Sequence, residues 1–384
     1  MRYFDNASTT YPKPEEVYRA QDLFTRSAAN PGRGTYRLAL DSERQLFESR
    51  LAIAQFIGID DARRLIFTGS CTQSLNMALK GLPLQMGDIV LTSALEHNAV
   101  MRPLKQLQLS RGVKVEQLPY AESGIINAED LKAQLETQKI RLCVVSAASN
   151  VTGEIANLAA VSELCARYKV PLVIDAAQSA GIVETNIEKL NVSIWCASGH
   201  KGLMGPSGIG LLYVNPSVEL EPLISGGTGS QSEDLHMPRE YPDHLEAGTL
   251  PGPAIAGLAA GIEWLKQTSL AEISRHEMEL AEKFLEWAGK QPHIHIYGPK
   301  TTAGRLAVIS FSVDGTTPDK VADILDSRYG IAVRPGLHCA GAAHKTLGTL
   351  DSGLIRASFG WFNTDSDVEY FCQALTEIAI LATR

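Results

Sequence analysis

The chain has 384 residues, 45% hydrophobic and 20% charged, with 35 Lys and Arg against 43 Asp and Glu and a formal net charge of −8. That composition suits a soluble globular protein of two or three ordinary domains, or one large α/β domain with a smaller companion, and excludes a fibre or a disordered chain. The balance is mildly acidic and has no Lys/Arg block, so no nucleic acid and no membrane surface is expected as a partner, which leaves small molecules and other proteins.

Met1-Arg2-Tyr3-Phe4-Asp5-Asn6 lacks the apolar run of a signal peptide, and the longest apolar stretch, near residues 254–265, is interrupted by Glu263. A cytoplasmic location is expected. The six cysteines, at 71, 143, 165, 196, 339 and 372, form no CxxC pair and no short regular spacing, which disfavours a disulfide framework or a Cys-rich zinc site. Cys143, Cys165, Cys196 and Cys372 have apolar neighbours and read as small buried hydrophobes. Cys339 does not.

Along the chain, apolar spacing predicts a helix over 41–57 and a strand over 64–68 that opens through Gly69-Ser70-Cys71-Thr72-Gln73 into a helical stretch over 74–79. Strands follow over 88–92 and 141–146, a helix over 158–168, then strands over 171–175, 192–197 and 209–214. Residues 226–244 read as a long Gly/Ser/polar excursion, of the kind more often functional than connective. After Thr249 come a long helical pattern, a strand over 305–312, a helix over 318–329 and a final helix from Asp365. Alternating strands and helices build a mostly parallel sheet covered by helices, with a smaller α+β unit after it. The expected division is a large domain over 12–255 and a smaller one from 1–11 with 256–384. No internal repeat or low-complexity segment is present.

The chemistry gathers at predicted strand ends, where open α/β sheets bind ligands. Val192 begins an apolar run that ends in Ser198-Gly199-His200-Lys201-Gly202, and a lysine held there loses its charge readily, as covalent cofactor attachment requires. Val170-Pro171-Leu172-Val173-Ile174-Asp175 ends in a carboxylate able to keep a pyridinium nitrogen protonated, with Gln178 three residues on. Alone, Asp175 reads more readily as a helix N-cap or a turn residue. Small residues around Cys71 and Thr72 at a helix start make an anion site, assisted by Ser198 and His200. His97 stands where an imidazole can stack on a planar ring. One aromatic, phosphorylated cofactor accounts for all four signals. No GxGxxG follows any strand, which argues against a nicotinamide dehydrogenase.

With these residues in place the chain resembles the class V aminotransferase group of fold-type I pyridoxal 5'-phosphate (PLP) enzymes, and within it the cysteine desulfurase and selenocysteine lyase family. The matching stretches run from Tyr3-Phe4-Asp5-Asn6-Ala7-Ser8 through Thr68 to Gln73, Glu96-His97, Ser149-Asn150-Val151-Thr152-Gly153, Asp175 to Gln178, Ser198 to Lys201 and Glu246-Ala247-Gly248-Thr249 to Arg356-Ala357-Ser358-Phe359. The resemblance implies a fold-type I PLP-dependent transferase in which Lys201 carries the cofactor, Asp175 partners the ring nitrogen, Gln178 the ring oxygen, and His97 stacks on the ring. Cys71, Thr72, Ser198 and His200 would hold the phosphate, with Thr249 donated across a homodimer interface. Asn150 would line the cofactor and, with Arg356, bind the substrate; a guanidinium fork matches an α-carboxylate bidentately.

Arg334-Pro335-Gly336-Leu337-His338-Cys339-Ala340 resembles the short-loop desulfurase type, with Leu337 where the usual pattern has His. Gly336, His338 and Arg334 give Cys339 a route to thiolate character. His338, Cys339 and His344 lack a fourth metal ligand, so no metal is expected. The implied activity is conversion of L-cysteine to L-alanine, with sulfur held on Cys339 and passed to a thiol or a sulfur-acceptor protein. A selenocysteine lyase or a cysteine/cystine C–S β-lyase would share every PLP residue, and a non-catalytic sulfur-trafficking partner would keep the fold without turnover. Residues 230–241 are expected to pack over the partner subunit's active site.

Overall fold

The structure is a computed structural model and describes residues 1–31, 34–120 and 125–382. Its strands are β1 (Arg2–Tyr3), β2 (Leu65–Thr68), β3 (Ile89–Thr92), β4 (Lys114–Gln117), β5 (Ile140–Ser146), β6 (Leu172–Asp175), β7 (Ile194–Ser198), β8 (Gly210–Val214), β9 (Ile294–Tyr297), β10 (Val308–Val313), β11 (Ile331–Ala332), β12 (Arg334–Gly336) and β13 (Leu354–Ser358). A seven-stranded sheet runs in the order β2-β8-β7-β6-β5-β3-β4, and β8 alone runs opposite to the other six strands.

Central strands β6 and β7 are buried throughout, which is why both read as unbroken apolar runs rather than alternating ones. Successive side chains point to opposite faces. Phe67, Cys143, Val145, Ile174, Trp195 and Leu211 pack on one face with helices Arg37–Phe56, Leu158–Arg167 and Gly252–Thr268. Ile66, Val90, Val144, Val173, Cys196 and Leu212 face the other side, under helices Cys71–Gly81 and Asn98–Arg111.

A second, antiparallel sheet runs in the order β12-β13-β10-β9. Its core holds Phe284, Phe311, Phe359 and Phe371, with Phe284 and Phe371 stacked at 5.3 Å. Phe4 joins this cluster, 4.9 Å from Phe371, so the chain's first residues are built into its last third. β1 pairs in parallel with β11, and Asn6 Nδ2 donates to Ser358 O at 2.9 Å.

The long helical pattern after Thr249 is two helices, Gly252–Thr268 and Leu270–Ala288, parted at Ser269, whose φ is +76°. The strand expected over 305–312 is shifted to β10, because Arg305 turns into the fold and donates to Thr152 O at 3.1 Å. No described helix is long and apolar enough to cross a membrane.

Candidate active site

Strands β2, β3, β5, β6 and β7 run in one direction, so their C-terminal ends share one edge of the sheet. At the end of β2, Ser70 caps helix Cys71–Gly81 by accepting from Gln73 N at 3.2 Å. The first-turn N–H groups of Cys71 and Thr72 have no intrahelical acceptor and point out of the helix. Gly210 of β8 lies against this turn; a Cβ there would stand 2.3 Å from Ser70 C and 2.7 Å from Cys71 N.

Asp175 closes β6, buried, with Oδ1 accepting from Ala177 N at 2.9 Å and from Cys71 Sγ at 3.5 Å. Burial, and then the Asp175 charge, push the Cys71 thiol well above its ordinary range. Lys201 follows β7 in the same cavity, where burial lowers its pKa against the pull of Asp175. His200 is pushed down to about 4 by burial and then by the Lys201 and Lys13 charges, and its buried Nδ1 has no hydrogen-bond partner.

His97 caps helix Asn98–Arg111, with Nδ1 accepting from Ala99 N at 3.0 Å. Burial lowers its pKa, and with Nδ1 an acceptor the neutral ring carries its proton on Nε2. Gln178 Nε2 donates to Ala7 O at 3.0 Å. Residues Cys71, Thr72, His97, Asn150, Asp175, Gln178, Ser198, His200 and Lys201 all line one cavity.

Arg356 on β13 is buried; Nη1 donates to Asn150 O at 3.0 Å, and Nη2 to Asp5 Oδ1 at 3.0 Å and Ser8 Oγ at 2.8 Å. Cys339 is exposed. Two tethers hold its loop: Asn150 Nδ2 donates to His338 O at 2.7 Å, and Cys339 O accepts from Asn98 N at 2.8 Å. They fix His338 and Cys339 at φ of +50° and +55°, a conformation costing non-glycine residues about 1–3 kcal/mol each.

His338 faces away from the thiol chemistry. Its Nε2 sits 3.0 Å from Arg334 O and so donates, which leaves Nδ1 to accept from His344 Nε2 at 3.2 Å. His344 Nδ1 in turn accepts from the Thr349 hydroxyl at 2.9 Å. Burial, and then the Arg356 charge, hold His338 down at about 3, and burial lowers His344 as well. Both ring nitrogens of His338 are occupied, so the ring steers the loop rather than polarising Cys339.

Thr249 is not with the other residues. It is exposed, on a separate groove beside Gly227, Ser230 and Leu250. Sequence reasoning missed the parts played by Ser146, which lines the cavity, and by Asp5 and Ser8, which hold Arg356. Asp5 and Ser8 lie inside the matching N-terminal stretch, but nothing in their spacing ties them to a residue some 350 positions away.

With fold and site in hand, the class is plain. The chain matches the class-V aminotransferase family model over residues 2–371 and belongs to that family. It is 33% identical to a probable cysteine desulfurase of Methanothermobacter thermautotrophicus, over 98% of this chain and 94% of the relative, and 34% identical to one of Pyrococcus abyssi at the same coverage. The apo structure of cysteine desulfurase from Thermococcus onnurineus NA1 superposes with a TM-score of 0.93 at 34% identity, covering 99% of this chain and 94% of that one. The cysteine desulfurase CsdA of Escherichia coli gives 0.88 at 29% identity, covering 99% and 94%.

The family is PLP-dependent, and the residues present fit that group. The first-turn N–H groups after Ser70 and the unpartnered His200 Nδ1 suit a phosphate. Asp175 suits a pyridinium nitrogen and Lys201, whose pKa burial lowers, an aldehyde carbon.

Proposed function

We propose that this protein is a PLP-dependent cysteine desulfurase that converts L-cysteine to L-alanine and takes the sulfur onto Cys339 as a persulfide. The observation that carries this reading is the placement of Cys339, an exposed residue on a loop tethered to Asn150 of the cavity lining and to Asn98, the residue after His97. A β-eliminating lyase needs no thiol there.

When bound, PLP withdraws electrons from the substrate's Cα. Lys201 would carry the cofactor, Asp175 would keep a proton at the ring nitrogen, Gln178 would bind the ring oxygen, and His97 would stack on the ring. Cys71, Thr72, Ser198 and His200 would hold the phosphate. Arg356 and Asn150 orient the substrate by its carboxylate. Lys201 Nζ, whose pKa burial lowers, takes the Cα proton and gives it back as alanine forms. The Cys339 thiolate attacks the substrate sulfur: an S–S bond forms, the Cβ–S bond breaks, and Cβ takes up a proton, so cysteine and thiol become alanine and persulfide.

The same reading extends to a homodimer. Thr249 is exposed and lies away from its own cavity, which supports its donation to the partner subunit's phosphate site. An external thiol or sulfur-acceptor protein then reduces the persulfide, in a cytoplasm where thiols stay free. The test is incubation of wild type and Cys339→Ala with cysteine and a reductant, with sulfide, alanine and pyruvate quantified together. Alanine equal to sulfide, both lost in the variant, is expected; pyruvate that survives the substitution would make the enzyme a β-eliminating lyase.

A further inference from the structure

The Arg356 guanidinium already has a carboxylate beside it. Asp5 Oδ1 accepts from Nη2 at 3.0 Å, with the Arg356 and Asp5 side chains only 3% and 17% exposed. Ser8 completes the arrangement: its hydroxyl donates to Asp5 Oδ1 at 2.7 Å and accepts from Arg356 Nη2 at 2.8 Å and from Arg334 Nη1 at 3.2 Å. Arg356 Nε, by contrast, is buried with no hydrogen-bond partner.

A guanidinium offers a carboxylate two forked edges, Nε with Nη2 or Nη1 with Nη2. Both edges use Nη2, the nitrogen that Asp5 and Ser8 engage. An incoming carboxylate therefore shares Nη2 with Asp5 and comes to rest close to a second negative charge, in a site with little water to screen it. Asp5 has little room to retreat. Phe4 before it is packed in the aromatic core, Asp5 itself bridges to Ser358, and Asp5 O accepts from Ser8 N at 3.0 Å.

We infer that Asp5 is a positioning residue that holds the Arg356 fork in place and keeps its affinity for carboxylates low, so that the product amino acid is released rather than retained. This rests on the reading of Arg356 as the substrate-carboxylate site. Asp5 does not touch the reacting atoms; it sets how firmly the carboxylate end is gripped.

The test uses the PLP-loaded enzyme and 3-(methylthio)propionate, which has a carboxylate and a sulfur at the substrate's spacing but no amine and no free thiol. Calorimetric titration should give a Kd at least fivefold lower in Asp5→Asn than in wild type, with Asp5→Ser changing in the same direction. In turnover, KM for cysteine should fall by more than kcat, while the visible absorbance of bound cofactor stays the same. Arg356→Gln should weaken binding of the probe. If Arg356→Gln leaves binding unchanged, the Arg356 reading falls and this inference with it. Weaker binding in Arg356→Gln, with unchanged or weaker binding in both Asp5 variants, overturns the inference alone.

Discussion

Replacing His338 by Gln should flatten the acid limb of the protein's stability. In the fold His338 is buried and held at about 3, because a proton on it would have to face the Arg356 charge and break the bond from His344. In the unfolded chain its pKa returns to about 6.5. A histidine with a depressed folded pKa binds fewer protons folded than unfolded, so its contribution is complete above about pH 6.5 and is lost as the pH falls toward 3. Between pH 7 and pH 5 the loss from this one residue is about 2 kcal/mol. Glutamine keeps a donor for Arg334 O but does not titrate. Urea unfolding of both proteins at pH 7 and pH 5, at one protein concentration, should therefore show the wild type losing about 2 kcal/mol more than the variant. Equal losses would refute the buried, neutral relay.

Three further outcomes are expected. Lys201→Ala should abolish the visible absorbance of bound cofactor while leaving the circular dichroism spectrum of the fold unchanged. Gly210→Ala should cost about 1–3 kcal/mol in urea unfolding and weaken PLP binding, because its Cβ would meet backbone atoms of the Ser70 turn. Glu246→Ala should cost about 3–5 kcal/mol, since Glu246 takes two bonds from the buried Arg50 and one from Phe67 N and its loss strands the Arg50 charge. Chemical denaturation of the apo and loaded forms checks both stability values.

The central sheet and the cofactor residues were legible because they obey local rules. β-Branched runs become buried parallel strands, and the polar residues that end them arrive together at one edge of the sheet. β4 escaped notice because Lys114–Gln117 is a half-exposed edge strand with no apolar run. Helices Glu15–Ser27 and Ala128–Thr137 are largely solvated and bury only two residues each, Val17 and Phe24 in one and Leu131 and Leu135 in the other. The His338–His344–Thr349 relay was out of reach for another reason. Spacing made the two histidines look like the start of a metal site, and only the Arg334 carbonyl, supplied by β12, fixes which nitrogen carries each proton. The roles of Asp5 and Ser8 were likewise invisible, because they exist only once β13 is beside them.

The built-in N-terminal segment also sets a clock for the molecule's assembly. Asn6 and its partner Ser358 are 352 residues apart, and Thr10 Oγ1 donates to Lys201 O at 3.1 Å. At ~5–20 residues per second of translation, the residues that hold Arg356 wait roughly 20 to 70 seconds on the ribosome for it to be made. The seven-stranded sheet can form before then, so the cofactor cavity takes shape ahead of the substrate's anchoring arginine. A tag fused directly before Arg2 would burden this last docking step.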